Sequence, residues 1–224
     1  MKFENTEVWG FEHAIRGMRN PLESWNKSDS HYDIEEVMVD EEVVLERGKY
    51  IIGSNDLQLA QTLIRSGSEH RKFLRQIFVA VDITAPLYFF KELDTYKVGI
   101  VANSTSTMHK LASTPITIDC FEMDDFEDCK DDSNVYVSAI WVESITRLEK
   151  LRQTYNETKD KRYWKELIRL LPESWLQKRT ITMNYENILN MYRQRKNHKL
   201  TEWSKSFCDW VKTLPYAEEL ICLE

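Results

Sequence analysis

The chain has 224 residues, of which 42% are hydrophobic and 12% aromatic, so it is long enough to bury a core as one domain. Its formal net charge of −7 argues against non-specific nucleic-acid binding, which needs a surplus of Lys and Arg to neutralise phosphates. No apolar run approaches membrane-spanning length, and the first residues lack the features of a signal peptide. We therefore expect a single domain over residues 1–224, located in the cytoplasm, with no membrane partner.

Charge is distributed unevenly along the chain. Residues 119–132 contain eight acidic residues and one Lys, whereas residues 147–199 contain 14 Lys and Arg against six acids. A basic region within an acidic chain favours a small anion such as a nucleotide, although solvated helix faces give the same pattern. The four cysteines show no C-x-x-C spacing, which predicts reduced thiols and no metal site.

The first 76 residues predict a strand, two helices and a basic turn. Residues 6–18 fit a strand leading into a short helix, and residues 34–45 fit either an edge strand or an exposed amphipathic helix. From Ser54, N-capping residues and apolar positions at helical spacing predict a helix that ends at Gly67. The turn after it fits either an anion site or ordinary surface, and it contains His70, Arg71, Lys72 and Arg75.

The middle of the chain predicts a core strand, a helix and a polar loop. Residues 78–84 are apolar on both faces, which predicts a strand buried on two sides, and Pro86 suits the first turn of the helix that follows. Asn103–Thr107 is a run of small polar residues. Its hydroxyls could bind a phosphate or a ribose, or one of them could simply cap the next short helix, which is the commoner role.

The second half predicts mainly helices. Residues 116–121 fit one more strand, and residues 122–132 fit an exposed acidic connection or the start of a helix. From Ser133 onward, apolar residues recur at spacings of three and four and predict four helices, followed by a short tail. The predicted class is α+β, with a mixed or antiparallel sheet and a helical C-terminal half.

One predicted helix carries an unusual polar edge. Asn184, Asn187 and Asn190 step by three, and Arg195 falls eight residues after Asn187, so amides and a guanidinium share one side of the helix. Amides can satisfy the donors and acceptors of a uracil or isoalloxazine edge, and Arg can hold a carbonyl or a phosphate. Helix capping and solvation explain the asparagines equally well.

This segment resembles the flavin-dependent thymidylate synthases. In that family a Leu-Pro is followed twelve residues later by the pattern N-x-R-x-x-x-N-x-x-x-x-R. Here Leu171-Pro172 is followed at the same spacing by Asn184, Asn190 and Arg195, with Glu186 at the position of the middle Arg.

A second region is similar to the family's signature R-H-R-x-x-S-x-N-x-x-S-x-R-Y. With one inserted residue, Glu92 falls at a Gln of the preceding helix, and Thr95-Tyr96-Lys97 falls at the Arg-His-Arg. Asn103 and Ser106 match, whereas Met108 and His109 replace the final Arg-Tyr. The resemblance covers roughly residues 54 to 215.

The resemblance implies a function and a set of site residues. Members of the family make dTMP from dUMP with methylenetetrahydrofolate, FAD and NADPH, and they form sites between subunits of a homotetramer, so we expect a homo-oligomer. Arg195 would polarise the pyrimidine carbonyl, and Ser106 would bind the nucleotide phosphate. By position, the substrate-binding residues are Glu92, Asn103, Ser106 and Arg195, and the cofactor-binding residues are Thr95, Tyr96, Lys97, Asn184, Glu186 and Asn190.

The departures from the family pattern leave three readings open. Three cations are replaced by Thr, Tyr and a single Lys, and a carboxylate at Glu186 would repel a diphosphate. The chain is a divergent flavin-dependent methyltransferase, a non-catalytic relative that binds or sequesters a pyrimidine nucleotide, or a helical interaction protein without a ligand.

Overall fold

The computed structural model describes residues 1–40, 42–123 and 136–223 and has the predicted α+β class. The strands are β1 (Lys2–Trp9), β2 (His31–Val39), β3 (Glu42–Ile51), β4 (Phe78–Pro86), β5 (Val101–Ser104) and β6 (Leu176–Asn184). The helices are α1 (Phe11–Met18), α2 (Ser54–Arg65), α3 (Leu87–Leu93), α4 (Thr107–Lys110), α5 (Val137–Thr158), α6 (Lys161–Leu170), α7 (Tyr185–Arg195), α8 (Cys208–Lys212) and α9 (Ala217–Leu220). From Asp124 to Asp132, the predicted acidic connection lies outside the described residues, as does Cys129.

The main sheet has four strands in the order β1-β4-β6-β5, so the predicted core strand β4 is an inner strand. Val79, Val81 and Ile83 on one face are buried, but the other face is half-buried, so the prediction of burial on two sides was wrong. The reason is Asp82 on that second face, which accepts a hydrogen bond from the Thr180 hydroxyl at 2.6 Å.

Strand β6 was not predicted, since only helices were expected after Ser133. Residues 177–180 are all polar, so alternation of apolar and polar residues is weak. Arg179 nonetheless fits a strand, because its guanidinium lies 4.0 Å from the centre of the Phe90 ring and pairs with Asp94 at 2.9 Å. A long cationic side chain therefore covers apolar surface where the pattern would require an apolar residue.

The chain divides into two compact units. The first comprises Met1–Asn5, Val81–Lys97 and Val101–Ile181, and the second comprises Thr6–Ala80, Val98–Ile100 and Thr182–Glu224.

The first unit has a core between α5 and α6, both predicted from their apolar spacing. The buried residues of this cluster are Leu111, Ile116, Phe121, Leu148 and Leu167. The predicted strand over residues 116–121 was wrong, because Ile118–Cys120 forms a 3-10 turn. Ile116 and Phe121 enter the core from either side of that turn, whereas Ile118, which completes the apolar alternation Ile116-Ile118-Cys120, is 45% exposed.

A polar contact fixes α5 in the first unit. Arg152 donates to Glu149 through two nitrogens, at 2.7 and 2.6 Å, and the Ile116 N–H donates to the same carboxylate at 2.8 Å. The hydrogen bonds from Arg152, assisted by those from Ile116 and Gln153, outweigh the effect of burial and lower the pKa of Glu149 to about 2. The carboxylate therefore holds the 110–116 segment against the helix at neutral pH.

The second unit packs α1, α2, α7 and the C-terminal helices around a second core. A π-helical turn at Glu202–Phe207 precedes α8, so the predicted helix over residues 200–214 is confirmed, although with a wider turn. The short tail is docked, since Leu220 and Ile221 are fully buried. In the same unit, Arg19 and Asp56 form a buried ion pair, with Nε and Oδ1 2.5 Å apart.

Strands β2 and β3 form an antiparallel hairpin. Of the two structures considered for residues 34–45, an edge strand and an amphipathic helix, the strand is therefore the one observed. We call His31–Ile51 the hairpin arm. Its base is anchored by two tyrosines, Tyr32 and Tyr50, whose ring centres are 4.9 Å apart, and the Tyr32 hydroxyl donates to Glu12 at 3.1 Å. Residue 41 at the turn lies outside the described residues.

Candidate functional site

The cofactor-binding residues predicted in the first unit lie at the end of α3. Asp94–Tyr96 forms a 3-10 turn, in which the Thr95 hydroxyl donates to the Glu92 carbonyl at 2.7 Å. Lys97 follows this turn and is exposed. Of the three residues at the Arg-His-Arg position, Thr95 therefore has a local structural role and Lys97 supplies a solvent-accessible cation.

The predicted substrate-binding residues Asn103 and Ser106 lie on either side of a strand end. Asn103 belongs to β5, so the polar run begins in a strand and not in a loop as predicted. Ser106 is the N-cap of α4: it accepts a hydrogen bond from the His109 N–H at 3.3 Å, and its hydroxyl lies 2.7 Å from His109 Nδ1. The capping role considered from the sequence is confirmed. A phosphate oxygen accepts, so Ser106 must donate its O–H to contact one, and this O–H is available when His109 Nδ1 carries a proton and donates to the hydroxyl.

In the second unit, Asn184 and Asn187 form a capping box at the start of α7. The Asn187 N–H donates to the Asn184 side chain at 3.0 Å, and the Asn184 N–H donates to the Asn187 side chain at 3.1 Å. Asn187 Nδ2 also donates to the Val98 carbonyl at 2.7 Å. Capping thus explains two of the three asparagines, as the sequence allowed.

A glycine lets the chain pass close to these amides. Gly99 has a φ of +78°, and a Cβ added there would lie 3.1 Å from Asn184 Nδ2. Any other residue would therefore be strained in its backbone and crowded against the amide. The start of α7 therefore contacts residues 98–100 closely, with the asparagine side-chain amides against the backbone of that segment.

Glu186, the carboxylate at the family's middle Arg position, is buried and ion-paired. Arg71 Nε lies 3.3 Å from Glu186 Oε1, and Arg75 Nε pairs with Oε2. Arg71 also donates to Asn190 Oδ1 at 2.9 Å. Two guanidiniums and one carboxylate leave a local charge of plus one, so the expected repulsion of an anion by Glu186 is compensated within the same unit.

The basic turn predicted from the sequence is therefore held in part by Glu186, and it also lines a cavity. A cavity of about 680 Å³ in the second unit is lined by His70, Lys72 and Arg75 together with apolar residues that include Leu63 and Phe73. The sequence did not predict that Glu186 and this turn meet. No local spacing relates them, because the paired residues are 115 and 111 positions apart in the chain.

We expect Glu186→Gln to lower the free energy of unfolding by roughly 2 kcal/mol, because a hydrogen bond to a charged group contributes about 1.5–3 kcal/mol. The loss is measured by urea denaturation. The control is Glu166→Gln in α6, whose ion pair with Arg169 is exposed on both sides and is worth about 1 kcal/mol at most. Equal losses in the two variants would contradict a structural role for Glu186.

Arg195, the predicted catalytic residue, lies at the C-terminal end of α7. Its guanidinium carbon is 5.1 Å from the centre of the Trp203 ring, within the range of a cation–π interaction. Trp203 is fully buried, so it holds the guanidinium against a fixed surface. In the second unit the structure thus brings Asn184, Glu186 and Asn190 onto the first turns of α7, with Arg195 at its end.

Within residues 1–40, 42–123 and 136–223, the helices are too short or too polar to cross a membrane.

Comparisons with known proteins identify the fold. The chain matches no protein-family model and no curated protein. Among solved structures, it is similar to the flavin-dependent thymidylate synthase of Helicobacter pylori complexed with FAD and dUMP, with a TM-score of 0.67, 17% identity and 100% of each chain covered. A second structure of that enzyme with FAD and dUMP gives the same TM-score and identity, and covers 99% of this chain and 97% of the other. The chain therefore has the fold of a flavin-dependent thymidylate synthase over its whole length.

Proposed function

We propose that the chain is a divergent relative of the flavin-dependent thymidylate synthases. It would bind dUMP or a related pyrimidine nucleotide and methylate it with methylenetetrahydrofolate, FAD and NADPH. The observation that carries this proposal is the full-length similarity of fold to an enzyme whose structure contains FAD and dUMP. We further propose that residues 1–224 act as a single domain and assemble as a homo-oligomer, in the manner of a tetramer.

Arg195 and Ser106 are the residues we assign to the nucleotide. A guanidinium held on Trp203 can donate two parallel hydrogen bonds to a pyrimidine carbonyl or to a phosphate. Polarising the carbonyl makes the neighbouring ring carbon a better nucleophile towards a one-carbon donor. Ser106 would contact the phosphate, and Asn103 and Glu92 would complete the nucleotide contacts.

The donor groups on and beside α7 fit a flavin. The contact with Arg71 uses the side-chain oxygen of the half-buried Asn190, so its NH₂ group can donate to a carbonyl of an isoalloxazine edge. Asn184 is buried with its NH₂ group against Gly99, so it would support the cofactor site through the capping box. Arg71 and Arg75 neutralise Glu186 and retain one positive charge for a diphosphate. Thr95, Tyr96 and Lys97 would border the cofactor. When bound, the flavin supplies the hydride chemistry, and these side chains orient it.

A second candidate is a non-catalytic relative that binds a nucleotide without a flavin. It is favoured by the run Thr95-Tyr96-Lys97, which presents one cation where the family presents three basic residues. By resemblance these three positions contact the cofactor and not the nucleotide, so the loss of basic residues there weakens FAD binding more than dUMP binding.

Purified full-length protein distinguishes the two candidates. A yellow preparation whose flavin absorbance bleaches with NADPH, together with rescue of a thymidine auxotroph, supports the methyltransferase. Colourless protein that binds dUMP after incubation with FAD supports the nucleotide-binding relative. Protein that binds neither compound contradicts both and leaves a helical interaction protein.

A further inference from the structure

The hairpin arm presents an apolar face to solvent. Beyond the tyrosines at its base, cross-strand pairing places Ile34, Met38, Val43 and Leu45 on one face, together with Glu36 and Arg47. The four apolar residues are 67%, 65%, 60% and 65% exposed, respectively. We call this surface the apolar face of the arm. Exposed apolar residues that are contiguous on one face, unlike scattered ones, mark interaction sites.

The opposite face of the arm carries three glutamates, with Glu35 directly across from Glu46 and Glu42 further towards the turn. It also carries Val37, Val39 and Val44, and the two exposed ones, Val39 and Val44, are 45% and 40% exposed, less than the four apolar residues of the first face. Like charges placed opposite each other repel, and covering them would remove the water that screens them. A partner of the arm therefore covers the apolar face and leaves the acidic face in solvent.

The charges on the apolar face identify a second copy of the chain as the occupant. Residues 33–49 contain seven acidic and two basic residues, yet this face carries one of each sign, Glu36 and Arg47. They lie on different strands, two residues apart along the hairpin, because Arg47 pairs with Ile34. A surface with one charge of each sign, offset in this way, is complementary to itself.

We propose that two copies of the chain associate through the apolar faces of their hairpin arms. A two-fold axis parallel to the strands lays β2 of each copy over β3 of the other. Each residue contact then occurs twice, as a two-fold interface requires. Ile34, Met38, Val43 and Leu45 interdigitate at the centre, and Glu36 of each copy lies beside Arg47 of the other.

The contacts of Arg47 within its own chain leave it able to pair with Glu36 of a second copy. Arg47 lies over the Tyr32 ring, 3.2 Å from its centre, and is 3.3 Å from a carboxylate oxygen of Glu12. Its side chain is still 60% exposed. The guanidinium is therefore held at the edge of the apolar face with donors directed to solvent, where a second carboxylate can reach it.

The first test is the mass of the full-length protein by sedimentation velocity over a concentration series. Leu45→Glu, on the apolar face, should at least halve the number of chains per assembly or raise the dissociation constant at least tenfold. The control is Val44→Glu, the adjacent residue on the acidic face, which should change the dissociation constant less than threefold. A monomeric wild-type protein, or equal effects of the two variants, would overturn the proposal.

The second test is a charge exchange, which separates a lost contact from a folding defect. Glu36→Arg and Arg47→Glu should each weaken the assembly, because each places like charges across the interface. The double variant should associate at least threefold more tightly than either single variant, without full recovery, because Arg47→Glu also breaks the pair with Glu12 of the same chain. Failure of the double variant to recover, with far-ultraviolet circular dichroism unchanged, would overturn the pairing. Neither test depends on nucleotide binding, so the proposed function can fail while this inference stands.

Discussion

Replacing Asp56 with Asn is expected to lower the free energy of unfolding by about 3–5 kcal/mol, the cost of leaving a buried charge without its partner. Asp56 and Arg19 are 0% and 4% exposed. The carboxylate also accepts hydrogen bonds from the hydroxyls of Ser28 and Ser30, both at 2.6 Å. Asn cannot neutralise the guanidinium and cannot accept through both of its side-chain atoms, so Arg19 would stay charged and underbonded in the second unit.

The loss is measured by urea denaturation at neutral pH, with Asp29→Asn as the control. Asp29 is half-buried and accepts from the first N–H groups of α2 through both carboxylate oxygens. Asn keeps one of these acceptors and leaves no buried charge without its partner, so we expect a loss of about 1 kcal/mol. Similar losses in the two variants would show that the buried pair contributes little.

The ion pair of Asp56 and Arg19 also predicts how the difference in the free energy of unfolding between wild type and Asp56→Asn depends on pH. Burial by itself raises the pKa of Asp56, but hydrogen bonds from Ser28, Ser30 and Arg19 outweigh it, and the pKa is lowered. A lowered pKa in the folded state means that the stabilisation is complete above the unfolded value, about 3.9, and is lost as the pH falls through the folded value. The gap between wild type and Asp56→Asn should therefore close only under acidic conditions.

The second large effect is expected for Arg195→Ala, which should reduce the affinity for dUMP by roughly 10- to 100-fold. This range corresponds to the roughly 1.5–3 kcal/mol of a charge-assisted hydrogen bond. Trp203 holds the guanidinium in place before the ligand arrives, so little ordering cost offsets the bond.

The effect of Arg195→Ala is measured as the rise in melting temperature that saturating dUMP produces. Wild-type protein should be stabilised, because a ligand that binds the folded state shifts the unfolding equilibrium, and the variant should show little rise. Arg193→Ala is the matched control, since Arg193 is an exposed Arg on the same helix, about 200° around it from Arg195. If dUMP raised the melting temperature of Arg195→Ala as much as that of the wild type, Arg195 would not be a nucleotide-binding residue.

Apolar periodicity was sufficient for the long helices and for β4. Helices α5 and α6 were predicted because residues such as Leu148 and Leu167 recur at helical spacing and become buried. Strand β6 was missed because Arg179 occupies a position that the pattern reserves for an apolar residue and uses its stem to cover Phe90. A hydrophobicity pattern detects side chains that are buried completely. It misses a side chain such as that of Arg179, in which only the apolar stem is buried.

The site residues taken from the resemblance stay a prediction, and only their contacts within the protein can be compared with the structure. The spacing of Asn184, Asn190 and Arg195 indicated the α7 edge, and the structure agrees that they share one helix. That Glu186 meets Arg71 and Arg75 depends on contacts more than 110 residues apart in the chain, which no local spacing encodes. The predicted repulsion by Glu186 failed for this reason.

Isothermal titration of dUMP into the purified wild-type protein decides whether a chain with this fold binds a pyrimidine nucleotide. We expect saturable binding with a Kd below about 100 μM. Absence of heat at millimolar dUMP, in protein shown by circular dichroism to be folded and tested with and without FAD, would contradict it.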